Sequence, residues 1–402
     1  MGGTSRAALP PFLLLYAALY AAFGVQSPYL PALLDSRGIG SEKIAIILAA
    51  GTAIRIASGP IAGRLADWLD APKIVFAACA AAAALLALGY WRAHSFWALL
   101  VVGILQAAVL APLAPLSDSL ALAAALPARS RLRQRGFDYG FIRGAGSAAF
   151  IVGSVIAGQA AEHLGITVIV WLNAILLAGA ALCAAWVPRL PRVRPPTAAA
   201  PIERTNGAVI TLLRIPMFRR VMLVAALILG SHALHDSFAV IRWRSAGIDT
   251  GTIGLLWSES VAAEVVIFLL VGRRLLDRLG PSGAAALAAA AGVVRWAVMA
   301  ETAWVPAMAV IEPLHGITFA LLHLSCMRLM AEIIPARLVA TGLAVYGTVA
   351  IGMVTAMLTL AAGPLYAHLG AEGFWVMAGL CAVALPLAFG LKEPDDASGS
   401  AR

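Results

Sequence analysis

The sequence contains few charged residues. Asp, Glu, Lys and Arg together make up 12% of its 402 residues, whereas about 25% is typical of soluble domains. Hydrophobic residues make up 61%, and the mean hydropathy is +0.90. These values exclude an ordinary soluble globular domain and indicate a polytopic helical membrane protein.

Paired cysteines and catalytic motifs are also missing. The four cysteines lie in separate apolar stretches with no CxxC spacing, which excludes a disulfide framework or a zinc knuckle. The sequence has no HExxH, no Ser/His/Asp order and no phosphate-binding glycine loop. A membrane-embedded enzyme is therefore a remote alternative. We expect no metal and no cofactor.

Long apolar runs are plentiful. A hydrocarbon core about 30 Å thick needs about 20 apolar residues in a helix. The sequence supplies twelve such spans, near 12–34, 43–66, 73–91, 96–121, 139–162, 166–188, 218–241, 251–272, 283–300, 304–330, 338–365 and 372–391. The predicted fold class is an all-α membrane protein.

The net charge of +9 has a topological explanation. If both termini are cytoplasmic, 21 of the 29 Lys and Arg residues fall on the cytoplasmic side and five fall outside. This bias is the positive-inside pattern of membrane proteins. We therefore expect no nucleic-acid partner, a multi-pass location in a bacterial inner membrane, and both termini in the cytoplasm.

An internal repeat divides the chain. Residues 36–39, 64–67 and 163–165 recur as 245–248, 274–277 and 368–370, at offsets of 209, 210 and 205. A Pro- and Arg-rich segment, 189–217, separates the copies. The predicted organisation is a six-helix bundle over 1–188, a cytoplasmic linker over 189–217 and a six-helix bundle over 218–402. A parallel six-plus-six repeat is the architecture of major facilitator transporters.

Several strings carry a more specific resemblance. The 63–67 segment, Gly-Arg-Leu-Ala-Asp, resembles the start of the major facilitator cytoplasmic signature. PLSDSLA (115–121), DYGFIRGAGSAAFIVGS (138–154), WSESVAAEVVIF (257–268), GVVRWAVM (292–299) and LHGITFALLH (314–323) resemble the phenylpropionate permease family. That family is related to lactose permease and to nucleoside:proton symporters. The resemblance implies proton-coupled uptake of an aromatic carboxylic acid, with a site at the midplane between the halves.

Asp118 and Arg143 are candidate substrate residues in the first half. The planar guanidinium of Arg143 can form two hydrogen bonds with a substrate carboxylate, and Asp118 on the preceding span would hold Arg143 in place. The alternative is a structural ion pair or an arginine that reaches the membrane interface. The resemblance to lactose permease favours the substrate role.

Glu264 and Arg295 are the corresponding candidates in the second half. Both should lie near the midplane, where Glu264 would carry the proton and Arg295 would fix the anion. The alternative is a static Glu264–Arg295 clamp. Glu259 lies about 140° around the same helix from Glu264, so it has no clear role.

Other polar residues complete the prediction. His315, His323 and Glu312 are assigned to proton coupling, since histidine titrates near neutral pH. His232, Asp236 and Trp257 are assigned to substrate binding, and Asp67 and Asp277 to cytoplasmic gating. The phenylpropionate permease family has aromatic residues at the positions of His235 and Asp236. Because these two residues are more polar, a nucleoside or sugar symporter is the alternative. The partners expected are a small-molecule substrate, protons and membrane lipid, and we expect a monomer.

Overall fold

The structure is a computed structural model that describes residues 4–125, 139–188, 205–335 and 338–391. Within those ranges the chain is helical and forms no strand. The first-half helices are α1 Thr4–Gln26, α2 Leu30–Asp35, α3 Ser41–Trp68, α4 Pro72–Arg92, α5 Phe96–Leu110, α6 Leu113–Ala125, α7 Tyr139–Leu164 and α8 Val168–Trp186. The later helices are α9 Thr205–Arg214, α10 Pro216–Gly230, α11 Ala233–Ser245, α12 Thr250–Val266, α13 Gly272–Glu301, α14 Val305–Ile311, α15 Leu322–Ile333, α16 Val339–Val345, α17 Val354–Leu369 and α18 Gly373–Ala388.

Ten described helical segments are long and apolar enough to cross a membrane. Two of them, Thr250–Glu301 and Thr341–Ala388, contain 52 and 48 residues. At 1.5 Å per residue each would reach about 70–80 Å if straight, more than twice the hydrocarbon thickness. Each is interrupted by a positive-φ glycine, Gly280 and Gly370. Two crossings in each segment make the count consistent with twelve, and the all-α membrane fold is confirmed.

Several predicted spans are broken into two helices. Residues 96–121 form α5 and α6, which are separated at Pro112, because proline cannot donate the hydrogen bond that continues a helix. The span near 304–330 is likewise interrupted between α14 and α15, beside Pro313. Residues 218–241 form α10 and α11, with a turn at 231–232. These breaks place polar side chains at helix ends inside the apolar region.

Three π-helical segments lie among the described residues of the second half. They cover Ile267–Val271, Gly316–Leu321 and Tyr346–Met353. Such segments are rare and occur frequently at functional sites. The first begins three residues after Glu264, and the second begins immediately after His315.

The backbone shows a repeat of its own. The described residues with positive φ form three pairs: Gly38 with Gly247, Asp70 with Gly280, and Gly165 with Gly370. Their offsets are 209, 210 and 205, the same as those of the sequence repeat. Corresponding turns therefore have the same local conformation in both copies.

The chain divides into two compact units. Unit 1 contains residues 1–39, 50–196 and 249–258, and unit 2 contains residues 40–49, 197–248 and 259–402. Unit 1 thus includes 249–258 from the second half, and unit 2 includes 40–49 from the first. These two ten-residue segments are equivalent in the repeat. Most of the predicted linker, 189–204, lies outside the described residues, as do 126–138 and 392–402.

Unit 1 is built around the contact of α1 with α7. A Cβ at Gly24 would collide with the carbonyl of Phe150, and one at Gly153 would collide with the carbonyl of Ala21. Small residues let membrane helices approach closely, because van der Waals packing drives their association. The same approach sets Tyr16 and Tyr20 of α1 against Gly146 of α7.

Candidate functional site

Arg295 and Glu312 form a buried ion pair at the centre of unit 2. Arg295 Nη2 donates to Glu312 Oε2 at 2.7 Å, and both side chains are 0% exposed. The hydroxyl of Ser260 donates a short hydrogen bond to the same oxygen. Glu312 follows the last residue of α14, just before Pro313, so the helix break brings its carboxylate to Arg295 on α13. Arg295 is therefore neutralised within the protein.

Arg295 also contacts two histidines. Its Nη1 lies 3.2 Å from His315 Nδ1, and its Nη2 lies 3.3 Å from His235 Nε2. A guanidinium has only donors, so both of these ring nitrogens accept hydrogen bonds. Each neutral imidazole then carries its proton on the opposite nitrogen. Arg295 thereby fixes the tautomers of both rings.

Each of these histidine protons faces a carboxylate. His235 Nδ1 lies 3.2 Å from Asp236 Oδ1, and His315 Nε2 lies 3.6 Å from Glu264 Oε2. The side chains of Asp236 and Glu264 are 55% and 27% exposed, whereas that of His235 is 4% exposed. The contacts form a continuous chain from Asp236 through the buried centre to Glu264, and the side chains at both ends are more exposed than that of His235.

Aromatic and hydroxyl groups surround this chain. Trp296 lies under the Arg295 guanidinium at 4.5 Å and donates to the hydroxyl of Ser231. The His315 ring is parallel to that of Phe319, with centroids 5.5 Å apart, and Phe319 is parallel to His323 at 6.5 Å. Phe319 therefore separates the two histidines that sequence grouped together.

His232 has a different environment. Its Nδ1 lies 3.1 Å from the Ile228 carbonyl, and its Nε2 lies 3.0 Å from the Thr318 hydroxyl. The carbonyl can only accept, so Nδ1 carries the proton. The Thr318 hydroxyl beside Nε2 also donates to the His315 carbonyl at 3.3 Å. His232 is buried, and both nitrogens have uncharged partners. Its contacts are those of a packing residue.

Asp118 and Arg143 lie among tyrosines in unit 1. The Tyr16 hydroxyl donates to Asp118 Oδ1 at 2.6 Å, and the Tyr139 side chain lies near both of them. The Arg143 guanidinium lies 4.7 Å from the Tyr20 ring centroid. Arg143 is exposed and Asp118 half-buried. Within the described ranges, no carboxylate forms an ion pair with Arg143.

The predicted pairing of Glu264 with Arg295 is replaced by two other pairs, Arg295–Glu312 and Glu264–His315. Sequence placed all four residues in the same region, but the choice of partner depends on helix rotation. His235 and Ser260 were not among the predicted site residues. The signal for His235 was its position beside Asp236 within a predicted membrane span.

Trp257, Asp277 and Asp67 complete the predicted set. Trp257 is 8% exposed. Asp277 accepts a hydrogen bond from Arg328 at 2.9 Å, as expected for a signature aspartate beside a basic neighbour. Asp67 is exposed at the end of α3. Gating by Asp67 and Asp277 stays a prediction.

Comparison of the sequence with known proteins identifies relatives along most of the chain. The profile of the MFS_1 like family matches residues 11–377. The chain is 33% identical over 380 residues to a "Probable 3-phenylpropionic acid transporter" of Escherichia coli (strain K12), covering 93% of this chain and 94% of the relative. It is 27% identical over 376 residues to a "Maltose permease" of Geobacillus stearothermophilus, covering 92% of this chain and 91% of that protein.

Solved structures show the same fold at lower sequence identity. The nucleoside transporter NupG superposes with a TM-score of 0.81 at 15% identity, over 96% of this chain and 99% of that one. The human organic anion transporter MFSD10 gives a TM-score of 0.63 at 18% identity, with the same coverage. The charged residues within apolar spans, the parallel repeat and these relatives lead to one conclusion: the chain belongs to the MFS_1 like family and is a multi-pass major facilitator transporter, not an enzyme.

Proposed function

We propose that this protein is a proton-coupled symporter for a small aromatic carboxylic acid, in which Arg143 binds the carboxylate and the Glu264–His315 pair carries the proton. The observation that carries the proposal is the buried Arg295–Glu312 pair. An arginine that already has a fully buried carboxylate partner is a poor receptor for a second one, because the substrate would have to displace Glu312. That leaves Arg143 as the anion-binding residue.

The surroundings of Arg143 suit an aromatic acid. A guanidinium can bind a carboxylate through two parallel hydrogen bonds. Tyr16 and Tyr20 stack with centroids 5.5 Å apart, and Phe23 contacts Tyr20 edge-on at 5.6 Å. Aromatic pairs of this kind extend readily to a further ring. The relative whose name gives 3-phenylpropionic acid as its substrate supports this substrate class.

Glu264 suits the proton role because it is partly exposed and has a neutral histidine as its partner. An ionised carboxylate within a membrane span is costly. Binding of a proton to Glu264 and its release can therefore be coupled to movement of the solute. Arg295 keeps His315 in the tautomer whose Nε2–H faces Glu264 at 3.6 Å. The pair can therefore take up one proton at Glu264 without disturbing the buried centre.

A sugar symporter is the second candidate. Asp118 and Tyr139 lie beside Arg143 and supply acceptor and donor groups for hydroxyls, and the name of the maltose permease relative also favours a sugar.

The proposal also includes an inner-membrane location, cytoplasmic termini, import as the direction of transport and a monomeric state. The positive-inside bias supports the first two.

The test is uptake by proteoliposomes with an imposed inward proton gradient. Labelled 3-phenylpropionate and maltose are compared at equal concentration, with protein-free liposomes to measure passive entry of the acid. We expect gradient-stimulated, protein-dependent uptake of phenylpropionate. Arg143→Lys, which keeps the charge but loses the fork, should raise KM about tenfold or more, since a bidentate charged contact is worth about 1.5–3 kcal/mol.

Matched variants separate the roles. Glu264→Gln should weaken stimulation by the proton gradient while leaving substrate exchange intact. Glu259→Gln, on the same helix, serves as the control and should behave as the unmodified protein does. Uptake of maltose alone would replace the aromatic-acid proposal with the sugar one. Uptake that ignores the proton gradient would exclude symport.

A further inference from the structure

We infer that His235 is a second proton-binding residue, so that the transporter moves two protons with each substrate molecule. The inference rests on the proposed symport function and adds a site on the other side of Arg295. It is carried by the geometry around His235 and by the charge of the buried chain.

The first observation is an unsatisfied oxygen. Glu312 Oε2 accepts from Arg295 and Ser260, but Oε1 accepts no hydrogen bond within the described residues although it is buried. Leaving a buried acceptor without a partner costs about 1–3 kcal/mol, and more for a charged group. His235 Nε2 lies 3.3 Å from this oxygen.

The tautomer of His235 explains why that oxygen lacks a donor. His235 Nε2 accepts from Arg295 Nη2 and therefore has no proton to give. If a proton is added at Nε2, it points at Glu312 Oε1 and satisfies it. The imidazolium would then lie between two carboxylates, with Nδ1–H toward Asp236 and Nε2–H toward Glu312. Arg295 Nη2 keeps its 2.7 Å bond to Glu312 Oε2.

The second observation is the charge balance of the chain. Arg295 contributes one positive charge, while Glu312, Asp236 and Glu264 contribute one negative charge each. With both histidines neutral the chain carries a net charge of minus two, which is unfavourable within an apolar bundle. One proton at Glu264 and one at His235 bring it to zero.

Neighbouring groups from every packed element act on these two sites. His235 is faced by Asp236 on α11, by His232 in the α10–α11 turn, by Arg295 on α13, and by Glu312 after α14. Glu264 is faced by His315 and, further along the helix of His315, by His323. Glu259 lies close enough to Glu312 to feel its charge. His232 has uncharged partners at both nitrogens, so it stays neutral and does not compete for the second proton.

The added proton binds at one atom only. Nδ1 of neutral His235 already carries a proton, so the second proton binds at the unprotonated Nε2 and leaves from the same nitrogen. The Nδ1–H keeps its contact with Asp236, whose side chain is 55% exposed while that of His235 is 4% exposed. No other covalent change is needed.

Charge movement tests the stoichiometry. With a monocarboxylate substrate, one proton gives electroneutral transport, whereas two protons carry one net positive charge per molecule. Proteoliposomes containing the full-length protein are given labelled 3-phenylpropionate, and substrate uptake, proton uptake and membrane current are measured together. We expect a substrate-dependent current and two protons per substrate. Passive entry of the undissociated acid gives no current.

The His235→Asn variant keeps a donor toward Asp236 but has no titratable ring. We expect its proton-to-substrate ratio to fall by half and its current to disappear while uptake continues. Glu259→Gln is the control and should retain both. Electroneutral transport by the unmodified protein would overturn the second site and leave the symport proposal standing, whereas absence of proton coupling would overturn both.

A measurement that needs no substrate covers the case in which the variant does not fold. The chain has seven histidines, so isotope-labelled imidazole signals can be followed by NMR as pH is lowered. We expect His235 to become protonated on both nitrogens while His232 remains neutral. A His235 signal that stays neutral over the pH range in which transport is proton-coupled would refute the inference.

Discussion

At the scale of single residues, Arg295 organises the second half of the protein. It neutralises Glu312 and fixes the proton positions of His235 and His315 through donors that point in different directions. A lysine there would supply a charge but not this planar geometry. The centre therefore depends on the guanidinium, and on Glu312 being retained as its partner.

The buried pair leads to a prediction about stability. Glu312→Gln leaves the Arg295 charge without a buried counter-ion, which should lower the free energy of unfolding by about 3–5 kcal/mol. The measurement is thermal unfolding of the purified protein in detergent. We expect a clear drop in Tm.

The paired replacement sharpens that test. Arg295→Met combined with Glu312→Met removes both charges and should recover most of the lost stability, since apolar residues can replace a buried pair at little cost. Glu259→Gln, which alters a partly exposed carboxylate, should leave Tm unchanged. Equal Tm values for Glu312→Gln and the unmodified protein would contradict the structural importance of the pair.

At the scale of helices, interruptions and close approaches position the polar groups. The break before Pro313 places Glu312 just after the end of α14, and a π-helical segment follows His315 directly. In unit 1, the α1–α7 approach at Gly24 and Gly153 brings the tyrosines of α1 toward Arg143. The anion site therefore depends on a glycine contact some distance along the helix.

That contact gives a prediction for the α1–α7 interface. Gly24→Ala places a methyl group against the Phe150 carbonyl, and backbone cannot move aside as a flexible side chain does. We expect a loss of folded protein, measured by size-exclusion profile and Tm, together with weaker substrate binding. Gly179→Ala on α8, whose Cβ would lie 3.9 Å from Ala18 Cβ, is the matched control and should be neutral.

At the scale of the whole molecule, equivalent turns of the two repeat copies have the same backbone conformation. The pairs Gly38–Gly247, Asp70–Gly280 and Gly165–Gly370 all adopt positive φ. A left-handed conformation is costly for residues with a Cβ, which accounts for glycine at five of these six positions. The same turn has been kept in both copies although the surrounding residues differ.

Equivalent turns should respond equally to substitution. Gly165→Ala and Gly370→Ala should each destabilise the protein by about 1–2 kcal/mol, with no steric contribution because nothing lies within 4 Å of either added Cβ. Gly379→Ala lies in α18 and also meets nothing within 4 Å. It should be neutral or slightly stabilising, and a similar loss there would show that the φ angle is not the cause.

Much of the site was predictable as a set of residues and little of it as a set of contacts. Glu264, Arg295, Glu312 and His315 stand out because ionisable groups in apolar spans need partners. The sequence paired Glu264 with Arg295 by depth alone. Glu312, beside the helix break, reaches Arg295 instead, and depth along a helix says nothing about rotation about its axis.

The sequence by itself determined the class of protein, the positions of the spans, the repeat and the ionisable residues that needed partners, because apolar length, charge bias and buried ionisable groups are local properties. Only the tertiary structure decided which carboxylate neutralises Arg295, which nitrogen of each histidine bears the proton, and that His235 belongs to the centre. Those choices depend on distances of about 3 Å between different helices, and such distances are set by helix breaks and packing rather than by spacing along the chain.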